Sequence, residues 1–397
     1  MPVSNRFLDN NPGPDEGFGV YIHWPFCASM CPYCDFNSHV AETVDHRSWW
    51  AALLSELNHF ALETNGRTVT SVFFGGGTPS LMAPETAAAL IDAVGKHWPT
   101  ADDLEITLEA NPSTSEAGRF QAFRDAGVNR LSIGVQSFRD ENLSFLGRRH
   151  SVAEAKGALK MAADVFPRFS FDLIYGLAGQ SPQDWVQELD EALEYAQSLG
   201  AGHLSLYQLT IETGTPFYRD GVKAADGDVG AGLYEITQDK LIEAGLPAYE
   251  ISNHARPGSE CRHNLEIWRG GAYAGIGPGA HGRLPVRGRT EALYQIHTPD
   301  RWLAAVEQKG HGTAKRQALP TRSRAEELLM TGLRLIEGVG RARFQSLTGR
   351  QVEDYLDKDG LELMTGGGFV EMDETGLRAT ATGRLCLNEV LRHLLAP

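Results

Sequence analysis

Three of the five cysteines fall within eight residues, as Cys27-x3-Cys31-x2-Cys34. Thiols packed so closely on one short segment point to metal or redox chemistry. Three thiolates can hold three irons of a four-iron cluster, which leaves the fourth iron open to a small molecule. Zinc is the physical rival, with His23 or His39 as the fourth ligand. Zinc fingers usually add a second, distant cysteine pair, and Cys261 and Cys386 do not form one. Buried structural thiols are a third reading. A secreted disulfide framework would be denser in cysteine and shorter than 397 residues.

A second chemical signal lies downstream, in Gly75-Gly76-Gly77-Thr78-Pro79. Glycines let a ligand approach the backbone closely, although a lone triplet is more often a turn. Polar residues that could line a site follow at Glu109, Gln136, Arg148 and Asp172.

The elements that must position these residues alternate. Strand-like stretches at 19–24, 69–74, 104–110, 130–135, 168–176 and 203–209 are separated by helical ones, among them 46–63, 84–98, 151–165 and 181–199. Ser181 and Pro182 make a good helix start. Six strand–helix units imply an α/β fold with parallel strands and right-handed crossovers. Polar or glycine-rich residues follow nearly every strand, which favours a partial (β/α)6 barrel with its site at the C-terminal strand ends. Residues 1–16 read as a flexible arm, 17–290 as the barrel with the candidate site, and 291–397 as an accessory domain. In that last segment, helices followed by a hairpin around Glu374-Thr375-Gly376 resemble a winged helix.

The net charge of −15 argues against nucleic-acid binding. No apolar run is long enough to span a membrane, and MPVSNRFLDNNPGPDEG lacks the features of a secretory signal, so a cytoplasmic location is expected.

The cysteine spacing, with Tyr33 before the last cysteine, and the Gly75–Pro79 segment resemble the radical SAM superfamily. The ordered stretches YIHWPFC, FGGGTPS, LEANP, RLSIGVQSF, FLGRRH, FDLIYGL, YQLTIE and ECRHNLEIW narrow this. They resemble the oxygen-independent coproporphyrinogen dehydrogenases and their relatives, the HemW type of haem chaperone. The resemblance runs from about residue 19 to 285 and more loosely beyond.

It implies a [4Fe-4S] cluster on Cys27, Cys31 and Cys34, and an S-adenosylmethionine (SAM) pocket. Tyr21, Tyr33, Gly76, Gly77, Thr78, Glu109, Gln136, Arg148 and Asp172 would line that pocket, and His263 would contact haem. Two features separate the branches. The dehydrogenases carry a fourth cysteine where this chain has Phe36, and a longer N-terminal segment than the 26 residues before Cys27. Both features match the chaperones. Ile267 stands where the chaperones' H-N-x-x-Y-W element has tyrosine, so no phenol is available there, and Cys261, His254 and His281 are further candidate ligands. The expectation is a haem chaperone that delivers haem to haem-accepting proteins, membrane-associated respiratory enzymes among them. The alternative is a dehydrogenase working through a 5′-deoxyadenosyl radical. A homodimer is left open.

Overall fold

A computed structural model describes residues 17–286 and 288–395; the arm expected over 1–16 lies outside the described residues. The first strand shows why the chain folds as it does. In β1 (Phe18–Trp24), Phe18, Val20, Ile22 and Trp24 are buried in the main core, while Gly19, Tyr21 and His23 point to the other face. This period-two alternation recurs in β2 (Val69–Gly76), β3 (Thr100–Ala110), β4 (Arg130–Gln136), β5 (Arg168–Tyr175) and β6 (His203–Gln208). One face is apolar and packs under helices. The other carries Ser71, Thr107, Glu109, Ser132, Ser170, Asp172 and Ser205, a polar lumen.

Three of the helices that cover the apolar face start on side-chain caps. Asp45 accepts from Arg47 and Ser48 N–H at the head of helix His46–Glu63. Ser151 with Glu154, and Ser181 with Asp184, form capping boxes on helices Val152–Val165 and Pro182–Ser198.

The six expected strands are parallel neighbours in order, β1 to β6. Five strands extend the sheet beyond the sequence reading. Strand β7 (Asn253–Ala255) adds antiparallel to β6. On the other side β8 (Ala272–Ile276) pairs parallel with β1. An antiparallel meander follows: β9 (His281–Val286), β10 (Arg289–Gln295) and β11 (Thr313–Ala318). The sheet of the described residues thus runs β11-β10-β9-β8-β1-β2-β3-β4-β5-β6-β7 and does not close.

The sequence reading put the accessory domain from 291 on. The main sheet continues to Ala318, and Leu293, Trp302 and Val306 belong to the main core. The anchor is Glu56, fully buried, which accepts from Gly277 N (2.7 Å), Gly312 N (2.6 Å) and the Trp302 indole (3.1 Å). A second core begins with Ala325 and includes Leu329, Phe344, Val370, Leu377 and Val390. It is built from helices and a three-stranded sheet, whose hairpin joins Val370–Met372 to Gly376–Ala379. Asp373 fixes that turn by accepting from Thr375 and Gly376 N–H.

Candidate active site at the barrel mouth

Residues after β1 carry the three cysteines over the C-terminal strand ends. Cys34 N–H bonds Cys31 carbonyl at 3.1 Å, closing the loop on itself. Two sulfurs are also joined through side chains. Thr78 Oγ1 donates to Cys27 Sγ (3.3 Å), and Asn111 Nδ2 donates to Thr78 Oγ1 (3.2 Å). Arg148 donates to Asn111 Oδ1 (2.6 Å), to the Gly134 carbonyl (2.9 Å) and to Cys31 Sγ (3.4 Å). The cysteine loop is therefore tied to the ends of β2, β3 and β4 by one polar chain. Tyr33 lies beside Arg148, with its ring 6.4 Å from that of Phe217.

Burial pushes the Cys27 and Cys34 thiols above their ordinary range, so their thiolates call for a bound cation. Among the described residues no three His, Cys, Asp or Glu side chains converge as one metal ion requires. A four-iron cluster makes no such demand, because each thiolate takes a different iron. The donor set of three half-buried free thiols, with hydroxyl and guanidinium donors on two sulfurs, fits such a cluster.

The glycine triplet is needed by the protein's own atoms. Gly76 has φ +113°, and a Cβ there would stand 2.6 Å from the His23 ring. A Cβ on Gly77 would meet the Phe26 carbonyl oxygen at 2.8 Å. His23 cannot retreat easily: its ring nitrogens bond Tyr21 Oη (3.0 Å) and the Asn37 carbonyl (2.9 Å).

Beneath the loop, Glu109 and Asp172 face the lumen. Glu109 accepts from Gly76 N (3.2 Å) and Asp172 from Ser132 Oγ (3.4 Å). Burial, reinforced by the negative charge of Asp172, pushes Glu109 up to about 8. Burial pushes Asp172 up to about 6, against the pull of Ser205 and Arg130. Neither carboxylate has an ion-pair partner among the described residues, which fits a cationic ligand such as the sulfonium and amino groups of SAM. Gln136, at the end of β4, is the one non-glycine residue with positive φ (+73°) among the described residues, a costly backbone that aims its amide next to Arg148.

Twelve of the thirteen expected residues thus gather in the upper barrel. His263 does not. It sits on helix Arg262–Trp268, which crosses the opposite, N-terminal ends of the strands. Its Nδ1 bonds Ser71 Oγ at 2.9 Å, five residues before Gly76, and the Tyr21 ring, 6.1 Å away and stacked on it, stands between His263 and the upper site. The ring stacks on Phe73 (5.0 Å), and burial holds the imidazole down at about 3, hence neutral.

Sequence reasoning missed Asn111, the bridge between Arg148 and Thr78, although it lies inside LEANP. It also missed Glu105. That buried carboxylate pairs with Arg168 (2.8 Å) and accepts from Arg262 N (2.9 Å), capping the floor helix. The spacing Glu105–Thr107–Glu109 on one strand face was the available signal.

Comparison with known proteins agrees with this architecture. Residues 21–192 match the Radical SAM superfamily, and residues 319–386 match the HemN C-terminal domain. The heme chaperone HemW of Escherichia coli is 39% identical over 95% of this chain and 98% of its own. The radical S-adenosyl methionine domain-containing protein 1, mitochondrial, of Mus musculus is 38% identical over 98% of this chain and 90% of its own. Among solved structures, the coproporphyrinogen III oxidase HemN of E. coli superposes with a TM-score of 0.80 at 22% identity, covering 96% of this chain and 91% of that one. The fold, the motif order and full-length likeness converge: the chain belongs to the radical SAM superfamily, in its HemW branch.

Proposed function

We propose that this protein is a haem chaperone, binding haem and passing it to haem-requiring proteins, respiratory enzymes among them, in the cytoplasm. The observation that carries the reading is the likeness to the E. coli heme chaperone HemW over nearly the whole of both chains. Phe36 adds to it: 63% exposed, it occupies the place where the dehydrogenase branch carries its extra cysteine.

In this reading Cys27, Cys31 and Cys34 would hold a [4Fe-4S] cluster, with SAM bound beside it. The bound cluster supplies an electron-transfer centre with one exchangeable coordination position. The chain's own residues do the rest. Thr78 and Arg148 steady two of the sulfurs. Asp172 offers negative charge to the cationic groups of SAM, and the Glu109 carboxyl, which burial keeps protonated at neutral pH, offers a hydrogen-bond acceptor beside it. Arg148, Asn111 and Gln136 orient its polar atoms.

The test pairs two assays on the reconstituted protein: a haem titration, and an assay for conversion of coproporphyrinogen III to protoporphyrinogen IX. Haem binding without conversion is expected. Many turnovers of decarboxylation would restore the dehydrogenase reading.

A further inference from the structure

A haem iron needs an axial ligand that can stand upright on a wide, flat macrocycle. Of the candidate ligands, His263, Cys261 and His254 are 3%, 1% and 1% exposed. None can meet a macrocycle without opening the core. His281 is different. It opens β9 on the surface, and its ring nitrogens have no hydrogen-bond partner among the described residues.

The meander places two further groups beside it. Register pairs His281 with Tyr294 on β10, and Tyr294 with Lys315 on β11. Residues directly opposite on adjacent strands share a face, so the three form one cross-strand row. The rings of His281 and Tyr294 are 4.7 Å apart at 69°. An axial imidazole stands perpendicular to the macrocycle, so a ring nearly perpendicular to that imidazole can lie along the macrocycle's face. The Lys315 ammonium is 5.5 Å from the Tyr294 ring centre and has no carboxylate partner among the described residues. Arg283, on the same face of β9, is held by Glu327 at 2.9 Å. An exposed unpaired cation in a chain of net charge −15 suits an anionic ligand.

The row also adjoins the cysteine loop. Asn37 Nδ2 donates to the carbonyls of Pro278 (2.9 Å) and His297 (3.0 Å), which flank β9 and β10. Phe36 and Val40, on either side of Asn37, are exposed apolar residues.

We propose that His281, Tyr294 and Lys315 form the haem-docking row of this protein. His281 supplies an axial nitrogen, Tyr294 lies against the macrocycle, and Lys315 takes a propionate. This rests on the haem-chaperone reading. Burial, Arg283 and His297 hold the His281 imidazole below its ordinary range, so a lone pair is free for iron at neutral pH.

The experiment is a haem titration of the full-length, cluster-reconstituted protein, read by the Soret band. His281→Gly should shift that band and weaken binding by about tenfold or more, equivalent to about 1.4 kcal/mol. Free imidazole should restore the wild-type spectrum, which a merely structural role would not predict. Lys315→Glu should weaken binding and leave the band where it was, because the ligand remains. His263→Ala, if circular dichroism shows it folded, should bind haem with the wild-type spectrum. An unchanged spectrum and affinity in His281→Gly overturns the row while the chaperone reading stands. Wild-type protein that takes up no haem overturns both.

Discussion

Replacing Gly76 by alanine tests whether the glycine serves the fold or only a ligand. Two costs follow from the structure. At φ +113° any residue with a Cβ is strained, by about 1–3 kcal/mol. The new methyl would also press into the His23 ring at 2.6 Å. That ring is held by Tyr21 Oη on one side and the Asn37 carbonyl on the other, so it yields only by breaking a bond. Overpacking of this kind costs about 1–3 kcal/mol. The sum, about 2–6 kcal/mol, is a large part of the 5–15 typical of a folded domain. The assay is urea unfolding of cluster-free protein, followed by tryptophan fluorescence, so that no ligand contributes. Combining G76A with H23A separates the two costs, because removing the imidazole relieves the clash and leaves the backbone strain. The double mutant should be about 1–3 kcal/mol more stable than the sum of the single effects predicts. If G76A leaves the cluster-free protein within about 0.5 kcal/mol of wild type and loses only SAM binding, the argument is wrong and the glycine is there for the ligand.

Anaerobic reconstitution should load about four irons and four sulfides per chain, and alanine at Cys27, Cys31 or Cys34 should abolish this. A full cluster in the triple variant, measured by iron and sulfide analysis, would refute the ligand set. Glu109 gives a pH test. Its carboxyl, raised to about 8, holds its proton in the folded protein well above the range where the unfolded chain releases it. The folded state therefore binds more protons through that window, and the term erodes stability as pH climbs towards about 8. Glu109→Gln should flatten this fall in urea titrations of the cluster-free protein; an unaltered pH slope would count against the buried-acid account.

Much of this protein is set by local pattern. Cysteine spacing alone places Cys27, Cys31 and Cys34 on one loop, since three residues so close in the chain have nowhere else to go. Alternation of apolar and polar residues puts Tyr21, Glu109 and Asp172 on inward faces, because a strand's side chains point to opposite sides at every step. Ser181 and Pro182 start their helix where capping chemistry predicts. The hairpin at Asp373–Gly376 forms at the Glu374-Thr375-Gly376 turn.

Tertiary structure decided what depends on long-range pairing. Nothing local says that Ala272–Ile276 slots in beside β1, or that residues 289–318 complete the main sheet. That extension is secured by Glu56, more than 200 residues from the glycine amides it holds. The sequence motif made His263 the natural haem contact. Packing buries it in the barrel floor against Ser71 and Phe73. His281 and Lys315 stand 34 residues apart in the chain, and only the register of three antiparallel strands brings them into one row. Composition and spacing describe what a segment can do by itself. Which distant segments meet is set by the burial of a shared core, and that is a property of the whole chain.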